Sequence, residues 1–164
     1  MFFGGWQSQV NVYGTLCLLL TAVPAFARGE TNSCKLLTHQ SIGQQLRHNR
    51  VQLLDYWATT CGACRPGLKV LQVLHMRFPA VSVLGFALDD PATVAQIKPV
   101  VYQGGITFPV FSGTVAQRQA RKYNVQTYPT LFLLDRQGKV VWSHSGMLDA
   151  IAERKLETVA VSLA

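Results

Sequence analysis

VQLLDYWATTCGAC, residues 51–64, runs from a near-continuous apolar segment into two cysteines separated by a Gly-Ala pair. The apolar character of Val51 to Ala58 fits a strand buried on both faces of a sheet, with Asp55 as its one anomaly. From Cys61 the pattern turns helical, with Leu68, Leu71, Leu74 or His75, and Phe78 recurring every three to four residues up to Pro79. VSVLGFAL, residues 81–88, then reads as a second buried strand. A strand, a helix and a strand make a βαβ unit, whose strands the crossover rule makes parallel.

Toward the C-terminus, Asp89-Asp90-Pro91 predicts a turn and a helix over 91–102, followed by a loop and a short extended piece at 107–111. A further helix is expected over 114–123. TLFLL (130–134) and KVVWS (139–143) flank Asp135-Arg136-Gln137-Gly138, the signature of a tight antiparallel hairpin. A closing helix over 147–161 is apolar at Leu148, Ile151, Leu156 and Val159. The fold class is therefore α/β, a central mixed β-sheet sandwiched by helices.

Toward the N-terminus the composition changes. No Lys, Arg, Asp or Glu precedes Arg28, and TLCLLLTAVPAFA (15–27) has the length of a signal-peptide apolar region ending in a small-x-small pattern. It is short for a bilayer span, which takes about 20 apolar residues. Residues 1–27 are accordingly expected to be a signal peptide or N-terminal anchor, residues 28–40 a polar lead-in, and residues 41–164 the folded domain, opening with a short helix over 42–48. Leu16 before Cys17 is not the small residue a lipoprotein signal requires. Export to the periplasm is the expected localisation, with anchoring through the N-terminus as the variant in which the segment is retained.

The 164 residues carry 15 Lys and Arg against 8 Asp and Glu, a net charge of +7. The cations are scattered, without a basic run or a nucleic-acid motif, so no nucleic-acid partner is expected and the charge leaves room only for weak association with an anionic membrane surface.

The Cys61-Gly62-Ala63-Cys64 motif stands where the first strand gives way to a helix. Unpaired amides and the positive end of the helix dipole stabilise a thiolate there, which makes Cys61 the expected nucleophile. Cys64, three residues on, is placed to attack a mixed disulfide at Cys61 and release the substrate. A lone CxxC is also half a zinc site, but the second half is missing, and no metal or cofactor is assigned. The alternative of a metal-binding or chaperone module without redox turnover stays open. Asp55, in a strand leading to the cysteines, is expected to be buried, to have a raised pKa and to take the proton of Cys64. Tyr128-Pro129-Thr130 opens a hairpin strand, where a cis peptide would bring the Tyr128 backbone beside the cysteines as a docking edge for substrate strands. Cys34 is an odd thiol, expected to be inert, and His39, His48, His75 and His144 show no ligand spacing.

Trp57-Ala58-Thr59-Thr60-Cys61-Gly62-Ala63-Cys64-Arg65 resembles the WAxWCGPC(K/R) segment of thioredoxins. Thr107-Phe108-Pro109, Tyr128-Pro129-Thr130 and LFLLDRQGKVVWSHSG (131–146) resemble the exported TlpA and ResA-like branch of thiol-disulfide oxidoreductases. The resemblance implies a thioredoxin-like three-layer sandwich, redox cycling of Cys61 and Cys64, a cis-proline at Pro129, and substrate contact through Trp57, Tyr128 and Pro129. It also implies protein thiols and disulfides as substrates and a membrane electron-transfer thiol as partner. Thr60 and Ala63 depart from the usual Trp and Pro of the motif. Gly67 and Thr130 stand where the haem-maturation relatives generally place Glu, which argues against that task. Pro66 is expected to kink or tighten the helix start, because it leaves the Gly62 carbonyl without a partner.

Overall fold

The computed structural model describes Leu46 and residues 49–164. The expected helix over 42–48, apart from Leu46, the segment 1–40, Cys17, Cys34, His39 and His48 lie outside the described residues. Strand β1 (Val51–Trp57) is buried at every position and occupies the centre of a five-stranded sheet of order β3-β2-β1-β4-β5. It pairs in parallel with β2 (Val81–Ala87), from Val51 opposite Val81 to Trp57 opposite Ala87. The connection between them is helix α1 (Cys64–Arg77), so the βαβ unit read from the sequence is the core of the fold.

After β2 the expected helix begins later than Pro91. One carboxyl oxygen of Asp90 accepts hydrogen bonds from the Ala92 and Thr93 amides and the Thr93 hydroxyl, each at 2.9 Å, which folds 90–93 into a turn. A 3-10 turn (Val94–Gln96) and helix α2 (Ile97–Gln103) follow. The short strand β3 (Val110–Phe111) then runs parallel to β2, and helix α3 spans Gly113–Lys122. Strands β4 (Thr130–Leu134) and β5 (Val140–Ser145) form the antiparallel hairpin, with Gly138 at φ +80° closing its turn. Helix α4 (Ala150–Leu163) starts three residues after the expected Met147 because Asp149 caps it, accepting from the Ile151 and Ala152 amides at 3.0 and 2.8 Å.

Pro66 is the third residue of α1, within the first turn, where an amide has no intrahelical acceptor. Gly62 lies outside the helix, so no helical bond is lost there, and α1 runs through to Arg77. A tightened turn does precede it, with the Cys64 amide donating to the Cys61 carbonyl at 3.2 Å.

Alternation along β1 divides the interior. Val51, Leu53 and Trp57 join Leu68, Leu71 and Leu74 of α1, residues of α2 and Leu156 of α4 in one core cluster. Leu54 and Tyr56 join Phe86, Phe111 and the α3 residues Val115, Ala116 and Ala120 in the other. Helices thus cover both faces of a mixed sheet, the thioredoxin-like three-layer sandwich.

Candidate active site

The end of β1, the start of α1 and the start of β4 converge on one disulfide. Cys61 and Cys64 are bonded, with their Cα atoms 5.4 Å apart. The chain reaches Cys61 by a four-residue turn in which the Cys61 amide donates to the Ala58 carbonyl at 3.1 Å. The first turn of α1 has no side-chain cap at Ala63 and no acidic residue, so no carboxylate offsets the positive end of the helix dipole beside the cysteines. The two sulfurs differ in access. Cys64 is 1% exposed and belongs to the core, whereas Cys61 is partly exposed at its edge.

Tyr128-Pro129 is cis, and Cys61 Sγ lies 3.8 Å from the Tyr128 carbonyl oxygen. The Tyr128 amide has no hydrogen-bond partner among the described residues, and the side chain is 45% exposed. The Pro129 carbonyl is already engaged by the Gly146 amide at 2.9 Å, which ties β4 to the end of β5. The Tyr128 amide is the backbone group left unengaged here among the described residues.

Asp55 is 3% exposed and, by alternation, shares the face of β1 that carries Leu53 and Trp57 toward the cluster containing Cys64. Its register neighbours are Gly85 on β2 and Leu131 on β4, neither of which offers a charge. Its carboxyl has no hydrogen bond or ion pair among the described residues, and burial pushes its pKa up to about 8.

Trp57 is not placed where the resemblance puts it. It is 1% exposed, with its ring against Gly85 in the core, so it offers no surface to a substrate. Two residues beyond Asp55 on an all-buried strand, its side chain falls on the same face and enters the same core cluster. Its indole Nε1 is a buried donor without a partner.

One residue of this region escaped the sequence reading. The Asp89 carboxyl accepts the Thr59 amide on both oxygens at 3.1 Å, and also accepts the Thr59 hydroxyl. The signal was present in the parallel register: β1 and β2 pair at a constant offset, and the same offset carried past Trp57 and Ala87 sets Thr59 beside Asp89. His75 is packed edge-on against Phe108, and burial lowers its pKa, while His144 stacks on Trp142. No group of three or more His, Cys, Asp or Glu among the described residues is placed to hold a metal ion.

The family model described as AhpC/TSA matches residues 24–143. The chain belongs to the AhpC/TSA family. Within it, the sequence is 34% identical over 88 residues to thiol-disulfide oxidoreductase ResA of Bacillus thuringiensis (strain Al Hakam), covering 54% of this chain and 50% of that protein. It is 26% identical over 162 residues to the thioredoxin-like protein YneN of Bacillus subtilis (strain 168), covering 94% and 89%. A structure described as a thiol:disulfide interchange protein DsbE from Chlorobium tepidum superposes with a TM-score of 0.63 at 29% identity, covering 71% of this chain and 82% of that one. The chain spans about half the length of the ResA relatives it matches. The resemblance to the thioredoxin fold and to the TlpA and ResA-like branch is thereby borne out.

Proposed function

We propose that this protein is a thiol-disulfide oxidoreductase that reduces disulfides of exported proteins through Cys61 and Cys64. The observation that carries the reading is the asymmetry of the pair: a partly exposed Cys61 at an uncapped helix start, beside the Tyr128 backbone, whose amide has no partner among the described residues, and a buried Cys64 behind it. The names of the ResA and DsbE relatives support it. In the reduced protein the Cys61 thiolate attacks one sulfur of the substrate disulfide, forming a Cys61–substrate bond and expelling the other substrate sulfur as thiolate. Cys64 gives its proton to Asp55 and attacks Cys61 Sγ, which closes the Cys61–Cys64 bond and releases the second substrate thiolate. Two electrons pass to the substrate, and a membrane thiol partner restores them. Asp55 can accept that proton only as carboxylate, and its raised pKa makes it a base matched to a thiol near neutral pH. Tyr128 and Pro129 bind the substrate strand alongside.

The assignment includes a domain over 41–164 behind a lead-in at 28–40, and an N-terminal segment, 1–27, that directs export to the periplasm or anchors the chain. No helix among the described residues is long and apolar enough to cross a membrane. The test is a pair of variants. Cys61→Ser abolishes exchange with a protein disulfide, and Cys64→Ser accumulates a long-lived mixed disulfide on Cys61, visible by non-reducing electrophoresis. Equal residual turnover in the two variants overturns the reading.

A further inference from the structure

The turn that delivers Cys61 is closed by the Cys61 amide and the Ala58 carbonyl, which leaves the amide of its corner residue Thr59 without a partner inside the turn. A buried amide must find an acceptor. Thr59 is 8% exposed and finds Asp89, itself 6% exposed, on the strand-end next door. The Thr59 hydroxyl donates to the same carboxyl, so one side chain takes both donors of one residue. Asp89 is fixed in turn, because the preceding residue, Leu88, donates its amide to the Trp57 carbonyl at 2.8 Å, extending the β1–β2 pairing one step. No cation pairs with Asp89 among the described residues, so its carboxyl is satisfied through Thr59. The Cys61 carbonyl is meanwhile used by the Cys64 amide. Cys61 thus sits at the junction of two consecutive turns, and the corner of the first is held to the sheet through one carboxyl group.

We infer that Asp89 is a positioning residue for Cys61: its clamp on Thr59 holds the 58–61 turn in the geometry that brings Cys61 Sγ to Cys64, and so favours the disulfide over the dithiol. With the clamp in place, the dithiol already has its two sulfurs near bonding distance, and closing the ring orders little more of the chain. Without it the turn moves on Thr59, and oxidation must first restore the turn. This deepens the function proposed above, since it names what sets the redox equilibrium of the same pair.

The measurement is the equilibrium of the full chain with glutathione and dithiothreitol buffers, in which protein dithiol and glutathione disulfide give protein disulfide and two glutathione thiols. The thermal midpoints of the oxidised and reduced forms are read in parallel. Asp89→Ala is expected to lower the equilibrium constant for oxidation about tenfold, equivalent to about 30 mV, and to narrow the gap in thermal midpoint between the two forms, because the coupling is reciprocal. Thr59→Val, which keeps the amide and loses the hydroxyl, is expected to shift it in the same direction by about threefold. Thr59→Ser keeps both donors and restores the wild-type constant within about twofold. The Val and Ser variants decide the matter if Asp89→Ala does not fold. A residue that only holds the fold together lowers both midpoints equally and leaves the constant unchanged; that result overturns the inference. Glutathione exchange needs no protein substrate, so a wild-type chain that equilibrates with glutathione yet leaves protein disulfides intact refutes the proposed function and not the clamp.

Discussion

On one side of β1, Tyr56 stands in a ladder of rings; on the other, its neighbour Asp55 stands with no hydrogen bond among the described residues. The ring face stacks Tyr56 on Phe86 at 5.1 Å between centroids, Phe86 on Phe111 at 5.4 Å and Tyr123 on Phe132 at 5.4 Å. Among the described residues, Gln119 Oε1 is the one buried polar side-chain atom there without a partner. The face toward the cysteines holds the Asp55 carboxyl, the Trp57 indole donor and His75 Nδ1, all lacking hydrogen-bond partners among the described residues. An unpaired buried polar group costs about 1–3 kcal/mol. Both faces are packed, but the aromatic face is nearly free of unpaired groups, whereas the other, which holds Cys64, also buries groups that oppose stability. Variants on the two faces should therefore separate stability from redox behaviour.

The largest effect expected is at Asp55. Its pKa is raised from 3.8 to about 8 in the folded chain. Between those values the folded state keeps a proton that the unfolded state has released, so stability falls as pH rises through this window, by about 1.4 kcal/mol per unit. Asp55→Asn removes the penalty. The oxidised variant should be more stable than wild type by roughly 4 kcal/mol at pH 7, with the gap vanishing below about pH 4. Urea unfolding of both proteins across this range measures it, and a gap independent of pH shows that Asp55 does not titrate. In the same variant, resolution of the Cys61 mixed disulfide is expected to slow while the first attack is spared.

How much of this was legible in the sequence follows the same division. Strand β1, helix α1 and strand β2 were readable because apolar runs and a 3.6-residue period report burial directly. The hairpin was readable from Asp135 to Gly138, whose turn chemistry is local, and so was the burial of Asp55 inside an apolar strand. In the sequence Asp89 shows only its turn, because its partner Thr59 is 30 residues away and only the strand register joins them. The motif around Trp57 points to substrate, but an all-buried strand sends the side chain into the core. The later starts of α2 and α4 have local side-chain causes that hydrophobic periodicity does not register: Asp90 ties 90–93 into a turn ahead of α2, and Asp149 caps α4.

Phe86→Leu offers the converse of Asp55→Asn. It keeps an apolar side chain and removes a ring stacked on both Tyr56 and Phe111. Loss of the paired aromatic contacts is expected to lower stability by about 1.5 kcal/mol, equally in the oxidised and reduced proteins, with the glutathione equilibrium unmoved. A shift in that equilibrium shows that the aromatic face is coupled to the disulfide.

Tyr56→Phe is the smallest change and the strictest test of independence, because it alters one atom in the residue next to Asp55. Burial holds the Tyr56 phenol far above its ordinary pKa, so it stays neutral at every pH at which the protein works. Its hydroxyl reaches the Gln119 carbonyl at 3.5 Å, the outer limit of a hydrogen bond. That carbonyl also accepts the Tyr123 amide at 3.2 Å, so removing the hydroxyl leaves no orphaned acceptor. The lost weak bond and the relief of burying a hydroxyl nearly cancel, and stability should change by less than about 0.5 kcal/mol. The change should be flat from pH 5 to 9, since neither protein titrates at this position, and both the redox equilibrium and the rate of resolution should match wild type. If Tyr56→Phe instead moves the pH profile of resolution, the Tyr56 hydroxyl influences Asp55 through the strand, and the two faces of β1 do not act separately.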